Sequence, residues 1–167
     1  FYEEIDAVYI ASPHQTHYEY IKSAVLHKKH VLCEKPMVLK KEQAEEVFRL
    51  AEENNVVLME AIKTAYCPGF NQLLSIVRSG AIGNVRDVEA CFTKLENPLG
   101  RELTDTVYGG SFTELGSYTV LPVLKILGKN YQDLEFKTQT AANGLDIYTK
   151  AYFTYENALA TSKNGLG

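Results

Sequence analysis

His30-Val31-Leu32-Cys33-Glu34-Lys35-Pro36 carries more information than any other stretch of the chain. An apolar run ends in a lysine beside a glutamate, and a proline, which has no N–H to give to a neighbouring strand, stops the ladder. Open α/β sheets place their chemistry at strand ends, and a lysine held there can offer a cation to a developing oxyanion or a proton to a reaction. A surface Glu-Lys pair after a buried strand is the plain alternative, and the flanking residues weigh against it. Upstream, Asp6-Ala7-Val8-Tyr9-Ile10-Ala11 is a nearly continuous apolar run, as a strand covered on both faces reads, and it ends at Ser12-Pro13-His14. Thr16 with Glu19 three residues on has the form of a capping box, which predicts a helix starting there, with Tyr20, Ile21, Ala24 and Val25 on its apolar face. Downstream, Ala44, Val47, Phe48 and Ala51 predict a second helix over 41–54, and a third apolar strand follows at 56–59. This alternation is the order of parallel strands joined by right-handed crossovers.

The chain has 167 residues, 46% of them hydrophobic, and a formal net charge of −4. That suits one domain or two small ones with a real core. The acidic balance argues against a nucleic-acid surface, and Lys28-Lys29 and Lys40-Lys41 read as solvated helix ends. No apolar run reaches the roughly 18 residues that a membrane span needs, and no leader peptide is visible. Cys33, Cys67 and Cys91 show no Cys-x-x-Cys spacing, so they read as reduced thiols in a cytoplasmic protein.

Beyond residue 63 the pattern predicts a helix over 67–79, with Pro68 in its first turn, Phe70, Leu73, Leu74 and Val77 on one face, and Gly80 just past its end. After Gly83 the period changes to two, and Val85 to Lys94 reads as a long strand of an antiparallel sheet. Residues 133–140, 145–155 and 158–163 are strand-like, with Asn143-Gly144 and Glu156-Asn157 as turns. The segment 95–108 has no period and reads as a loop, and Asn164-Gly165-Leu166-Gly167 reads as a turn opening toward another strand. Gly109-Gly110-Ser111-Phe112-Thr113-Glu114-Leu115-Gly116-Ser117-Tyr118 opens a predicted helix over 111–127 that Gly128 ends. Glu114 and Tyr118, four apart, share a face. Gly116 between them costs about 1 kcal/mol of helix propensity and lets something approach the backbone closely. By spacing alone, Tyr118 as a core tyrosine and Glu114 as a solvated acid is the reading favoured over a functional pair.

Ala7-Val8-Tyr9-Ile10-Ala11-Ser12-Pro13 with His17, then His-Val-Leu-Cys-Glu-Lys-Pro, then Leu58-Met59-Glu60-Ala61, and the Gly-Gly segment downstream resemble the Gfo/Idh/MocA oxidoreductases over most of the chain. The family carries an acidic residue and, four positions on, a histidine or tyrosine after its glycines; here these are Glu114, where aspartate is usual, and Tyr118, as in the dihydrodiol dehydrogenase and glucose–fructose oxidoreductase branch. The resemblance implies an α/β chain: residues 1–62 as the second half of a Rossmann domain with parallel strands, and 63–167 as an α+β substrate and dimerisation domain with an open, mainly antiparallel sheet, incomplete at its C-terminus. The Gly-x-Gly-x-x-Gly loop is absent, and Phe1-Tyr2-Glu3-Glu4 runs straight into the first strand, so the chain reads as a fragment, inactive by itself and without tight NAD binding.

For the whole protein the resemblance implies reversible hydride transfer between NAD or NADP and a sugar, polyol or related hydroxy or carbonyl compound. Tyr118 is then the general acid/base. A tyrosine titrates near ~10 in isolation, and a nearby ammonium favours the phenolate, which Lys35 would supply while Glu114 pairs with Lys35. The cofactor contacts implied are Ser12, Pro13, His14, His17, Glu34, Lys35 and Glu60, with the Lys35–Pro36 peptide cis. Lys63 and Ala65 stand where many relatives carry an aromatic and an arginine. His14 and His17 have no third residue at metal-ligand spacing, and no metal is expected. A homo-oligomer through the antiparallel sheet is expected, with Tyr148, Tyr152 and Phe153 available to that face or to the core. Arg101 meets an anionic substrate group or is simply exposed. A non-catalytic dinucleotide sensor of the same fold is the competing function, and a purely structural dimerisation module is a third.

Overall fold

A computed structural model of the protein describes residues 2–167; the expected entry of Phe1 into the first strand lies outside them. The chain divides into two compact units, Phe1–Ile62 and Lys63–Gly167.

In the first unit β1 (Ala7–Ile10), α1 (His14–Leu26), β2 (His30–Cys33), α2 (Lys41–Glu53) and β3 (Leu58–Glu60) alternate as the pattern predicts. The sheet is parallel in the order β1-β2-β3. Both crossovers run the same way, so α1 and α2 lie on the same face, packed against each other. They enclose Ile10, Ile21, Val25, Val31, Cys33 and Val47. The strands are therefore covered on one face in this unit, not two. Tyr9, Leu32 and Met59, which alternate with the core residues, are 59%, 39% and 37% exposed. Helix α1 also begins two residues before Thr16. Pro13 occupies its N-cap position in extended conformation, and Thr16 Oγ1 donates back to Pro13 O at 2.8 Å. A proline cannot donate an N–H, but its fixed φ suits a chain entering a helix.

In the second unit α3 (Pro68–Arg78) precedes β4 (Asp87–Lys94), α4 (Arg101–Thr104), α5 (Ser111–Leu127), β5 (Asp133–Thr140), β6 (Asp146–Thr154) and β7 (Leu159–Leu166). The sheet order is β4-β7-β6-β5. Its β5–β6 and β6–β7 pairs are antiparallel, but β4 runs parallel to β7, so the period-two pattern of β4 marked a half-exposed strand rather than an antiparallel one. Two further expectations are corrected, and one left open is decided. The segment 95–108 holds the short helix α4. Residues 164–166 continue β7, where Asn164 pairs with Phe92 and Gly165 with Thr93 of β4; a Cβ on Gly165 would lie 2.9 Å from the Tyr148 ring, so this glycine serves a close packing contact and not a turn. Phe153, 3% exposed, belongs to the core, while Tyr148 and Tyr152 alternate onto the other face.

Helix α5 lies across the sheet, over β4, β6 and β7. Val88, Val123, Ala151, Phe153 and Ala160 form the apolar core beneath it. A closed polar ring is buried in the same layer. Thr119 Oγ1 donates to Asn164 Oδ1 at 2.8 Å, Asn164 Nδ2 donates to Ser162 Oγ at 3.2 Å, and the Ser162 and Thr119 hydroxyls are 2.7 Å apart. Each buried polar atom of the ring thus has a partner, which the low dielectric of a core demands.

The start of α5 is capped from another element. Asp146 Oδ2, on β6, accepts from Phe112 N at 2.8 Å, from Ser111 Oγ at 2.6 Å and from Thr149 Oγ1 at 3.0 Å. A carboxylate there satisfies amides that a helix leaves open and meets the positive end of its dipole. Gly110 makes room for it: its φ is +101°, and a Cβ would lie 2.0 Å from Asp146 Oδ1. Gly110→Ala is expected to cost at least ~2 kcal/mol in urea unfolding, from the strained φ and the displaced cap. Gly69→Ala in the first turn of α3, where nothing lies within 4 Å, is expected to be neutral or stabilising by up to ~1 kcal/mol.

Candidate active site

The parallel register of the first unit brings the candidate residues of its loops to one sheet edge. Ile10 pairs with Cys33 and Cys33 with Glu60, so Ser12-Pro13, Glu34-Lys35-Pro36 and Glu60-Ala61 leave the sheet side by side. Glu34 N donates to Ile10 O at 2.8 Å and Ala61 N to Cys33 O at 2.7 Å. The Lys35–Pro36 peptide is cis, as the resemblance implied.

Two side chains hold the turn that carries Lys35. His17 is wholly buried, with Nδ1 2.9 Å from Pro36 O and Nε2 2.8 Å from Ser12 O. Expected among the cofactor contacts, it ties the loop after β1 to the loop after β2. Glu60 Oε1 accepts from Met37 N at 3.0 Å, so this second expected contact also fastens the Lys35 turn. His14 is 9% exposed at the first position of α1, its ring edge-on to His17 at 5.7 Å. Pro13 is exposed, and Ser12, Glu34 and Lys35 are half-buried. Ser12 Oγ lies 2.6 Å from Thr16 Oγ1. Glu34 Oε1 accepts from the hydroxyl of Tyr9, a partner the sequence did not announce; this hydrogen bond raises the Tyr9 pKa above its usual value. A hollow of about 370 Å³ opens beside β1, lined by Tyr9, Ala11, Ser12 and Tyr20 among others.

In the second unit α5 carries Glu114 in its first turn and Tyr118 one turn on. Tyr118 is half-buried and packs edge-on against Phe92 of β4, ring centres 5.5 Å apart. Glu114 is 6% exposed, not a solvated acid. Its Oε1 accepts from Arg101 Nη2 at 2.8 Å, so the arginine expected at the surface or on a substrate anion is an ion-pair partner of the candidate acid. The residue that crowds Gly116 is Phe112, whose ring would lie 3.2 Å from a Cβ there. Gly109 is equally constrained: a Cβ would meet Asp105 O at 2.6 Å and Glu102 O at 2.8 Å. A larger groove of about 740 Å³, between Arg78, Ile126 and Tyr155, lies at the opposite end of α5 from these residues. Among the described residues no group of three His, Cys, Asp or Glu side chains is placed to hold a metal ion, and no helix is long and apolar enough to cross a membrane.

Residues 2–62 match the model of the Gfo/Idh/MocA oxidoreductase family, whose fold is an NAD-binding Rossmann fold. The chain is 32% identical over 168 residues to scyllo-inositol 2-dehydrogenase (NADP(+)) of Bacillus subtilis, covering 95% of this chain and 51% of that one. It is 33% identical over 166 residues to dTDP-3,4-didehydro-2,6-dideoxy-alpha-D-glucose 3-reductase of Actinomadura kijaniata, covering 98% and 48%. A crystal structure of the 3-ketoreductase from Actinomadura kijaniata with NADP and TDP-benzene superposes with a TM-score of 0.84 at 30% identity, over 97% of this chain and 51% of that one. The chain spans about half the length of the curated relatives it matches. The first unit thus carries the match to the Gfo/Idh/MocA oxidoreductases, and the likeness to the two relatives runs on through the second.

Cys33, just before the Glu-Lys-Pro turn, is buried, and its thiol is pushed up to about 12 by that burial and by the nearby Glu60 and Glu34 carboxylates. Cys67 and Cys91 are exposed. Since the thiolate is the reactive form, iodoacetamide at pH 8 is expected to modify Cys67 and Cys91 of the folded protein and to spare Cys33 until denaturant is added, as counted by intact mass.

Proposed function

We propose that the whole protein is an NAD- or NADP-dependent oxidoreductase acting on a sugar, polyol or related hydroxy or carbonyl compound. The observation that carries this reading is the shared sheet edge of the first unit, where the half-buried Lys35 leaves β2 on a turn braced by His17 and Glu60, in a segment matched to a family with an NAD-binding fold. The nicotinamide supplies or accepts the hydride. Lys35 serves as a charge-stabilising cation, Tyr118 exchanges the hydroxyl proton with the substrate, and Glu114 supplies the carboxylate on the same helix face as Tyr118. In the oxidation direction the alcohol carbon gives up its hydrogen with the electron pair, and the alcohol oxygen gives up its proton to the Tyr118 phenolate. Ser12, Pro13, His14, Glu34, Lys35 and Glu60 form the cofactor-facing edge, with His17 setting the spacing between its loops.

Residues 1–62 are thus the dinucleotide-facing part and 63–167 the substrate-facing part, in a cytoplasmic homo-oligomer. The face of the second sheet turned away from α5 supports the oligomer. Tyr148, Lys150 and Tyr152 line it, and Lys163 of β7 pairs with Glu89 of β4 at 2.8 Å. The relatives' names support the substrate class: an inositol dehydrogenase and a reductase of a dTDP-linked sugar. Variants of the Actinomadura 3-ketoreductase with lysine replaced by alanine and with tyrosine replaced by phenylalanine were crystallised with NADP, and lysine and tyrosine are the residue types at 35 and 118.

The test is nicotinamide absorbance in the whole protein with NAD and NADP against a panel of inositols, aldoses and keto sugars. Lys35→Met is expected to lower kcat by ~10²–10⁴, the range for loss of a positioned acid–base or charge-stabilising group, with an unchanged circular-dichroism spectrum, and Tyr118→Phe by ~10² or more. Unchanged turnover in Lys35→Met refutes the role. Tight cofactor binding with no turnover on any substrate would favour a dinucleotide sensor instead.

A further inference from the structure

Glu114 is where this chain departs from the aspartate usual in its family, and it is the residue that Arg101 holds. The Glu114 carboxylate is 8% exposed and the Arg101 guanidinium 36%, with 2.8 Å between Nη2 and Oε1. Glu102 Oε1 lies 3.5 Å from the same nitrogen, so two carboxylates answer the arginine's charge. Lys94, at the end of β4, belongs to the same cluster. Its pKa is raised first by its hydrogen bond to Glu96 and further by the fields of Glu102 and Glu114.

The platform under Arg101 is fastened on several sides. Glu102 O accepts from Gly110 N at 2.9 Å, and Asp105 O accepts from Gly109 N at 2.9 Å. Asn143 Nδ2, from the β5–β6 turn, donates to Leu103 O at 3.1 Å. Helix α4 is therefore held to the residues from which α5 starts, and the guanidinium and the carboxylate stand on one rigid assembly. A glutamate has one more rotatable bond than an aspartate and loses more rotamer freedom when it is fixed. A planar guanidinium on a fixed platform selects one of those rotamers. Without it, a nearly buried carboxylate would lose a charged partner.

We propose that Arg101 is a positioning residue of the redox site: its guanidinium fixes the Glu114 carboxylate where the reaction uses it, and the site takes glutamate at 114 because the longer arm reaches Arg101. This rests on the role given to Glu114 under the proposed function. It also removes Arg101 as a dedicated clamp for an anionic substrate group.

The test uses the whole protein, its preferred nicotinamide cofactor and the most active compound of the inositol and sugar panel. Arg101→Gln and Glu114→Gln are each expected to lower kcat at least tenfold while the cofactor KM stays within twofold. The double variant is expected to be no worse than the poorer single variant by more than twofold, since residues that act as a unit are not additive. Arg101→Lys, which retains the charge, is expected to recover part of the loss. A loss in Glu114→Gln with wild-type kcat in Arg101→Gln overturns this inference and leaves the Glu114 reading standing; so do losses that simply multiply in the double variant. Wild-type kcat in Glu114→Gln sinks the Glu114 reading, and the inference with it. If Arg101→Gln does not give a folded circular-dichroism spectrum, Glu114→Asp decides. It retains the charge and withdraws the reach, so a fivefold or greater fall in kcat with unchanged cofactor KM supports the inference, and wild-type kcat overturns it.

Discussion

The second unit depends on one carboxylate. Asp146 sits on β6, yet its Oδ2 meets a main-chain amide and a hydroxyl at the start of α5 and a third donor on its own strand. Buried helix ends need partners for their amides, and here the partner comes from the sheet that the helix packs on. The interaction therefore does two jobs: it begins the helix, and it fixes where along the sheet the helix begins. Glu114 and Tyr118 inherit their positions from that start, and so does the spacing between α5 and α4. The Gly109-Gly110 pair is the steric counterpart. Neither residue has room for a methyl group, one because of Asp146 and the other because of the carbonyls of α4 and its flank.

The first unit solves a similar problem with a histidine. Parallel strands bring three loops to one edge, but register alone does not set the separation between loops. The imidazole of His17 spans from Ser12 O to Pro36 O, and Glu60 reaches Met37 N from the neighbouring strand. A turn braced on both sides holds Lys35 half-buried at the end of β2. Preorganisation of this kind is what a charge-stabilising site requires, because a cation that must be moved into place costs energy at the moment of reaction.

Elements with a strong period were legible in the sequence. The three parallel strands, α2, α3, and α5 with its Gly128 end all follow from apolar spacing and terminal residues. What the pattern could not show was tertiary. The alternation of β4 reports one half-exposed face and says nothing of strand direction, so its parallel pairing with β7 was invisible. Asn164-Gly165 has turn-forming residues but lies in a strand, because Asn164 completes a buried polar ring and Gly165 leaves room for the Tyr148 ring. Thr16 and Glu19 mimic a capping box, while the chain enters α1 through Pro13. At the candidate site the motif residues were readable, but their neighbours were not. Arg101 lies 13 positions before Glu114 in a segment without period, and Tyr9 lies 25 before Glu34. Only a folded chain reveals such pairs.

The sheet order β4-β7-β6-β5 places β7 in the interior, between β4, made some sixty residues earlier, and the second half of a hairpin. During translation, β4 and α5 leave the ribosome long before β7 exists, and until residue 166 is made they have no central strand to close on. The parallel unit precedes them in the chain, and its strands pair only with one another in the order β1-β2-β3. Until β7 is made, the face of α5 that later rests on Ala151 and Ala160 has no central strand beneath it and stays open to other apolar surfaces.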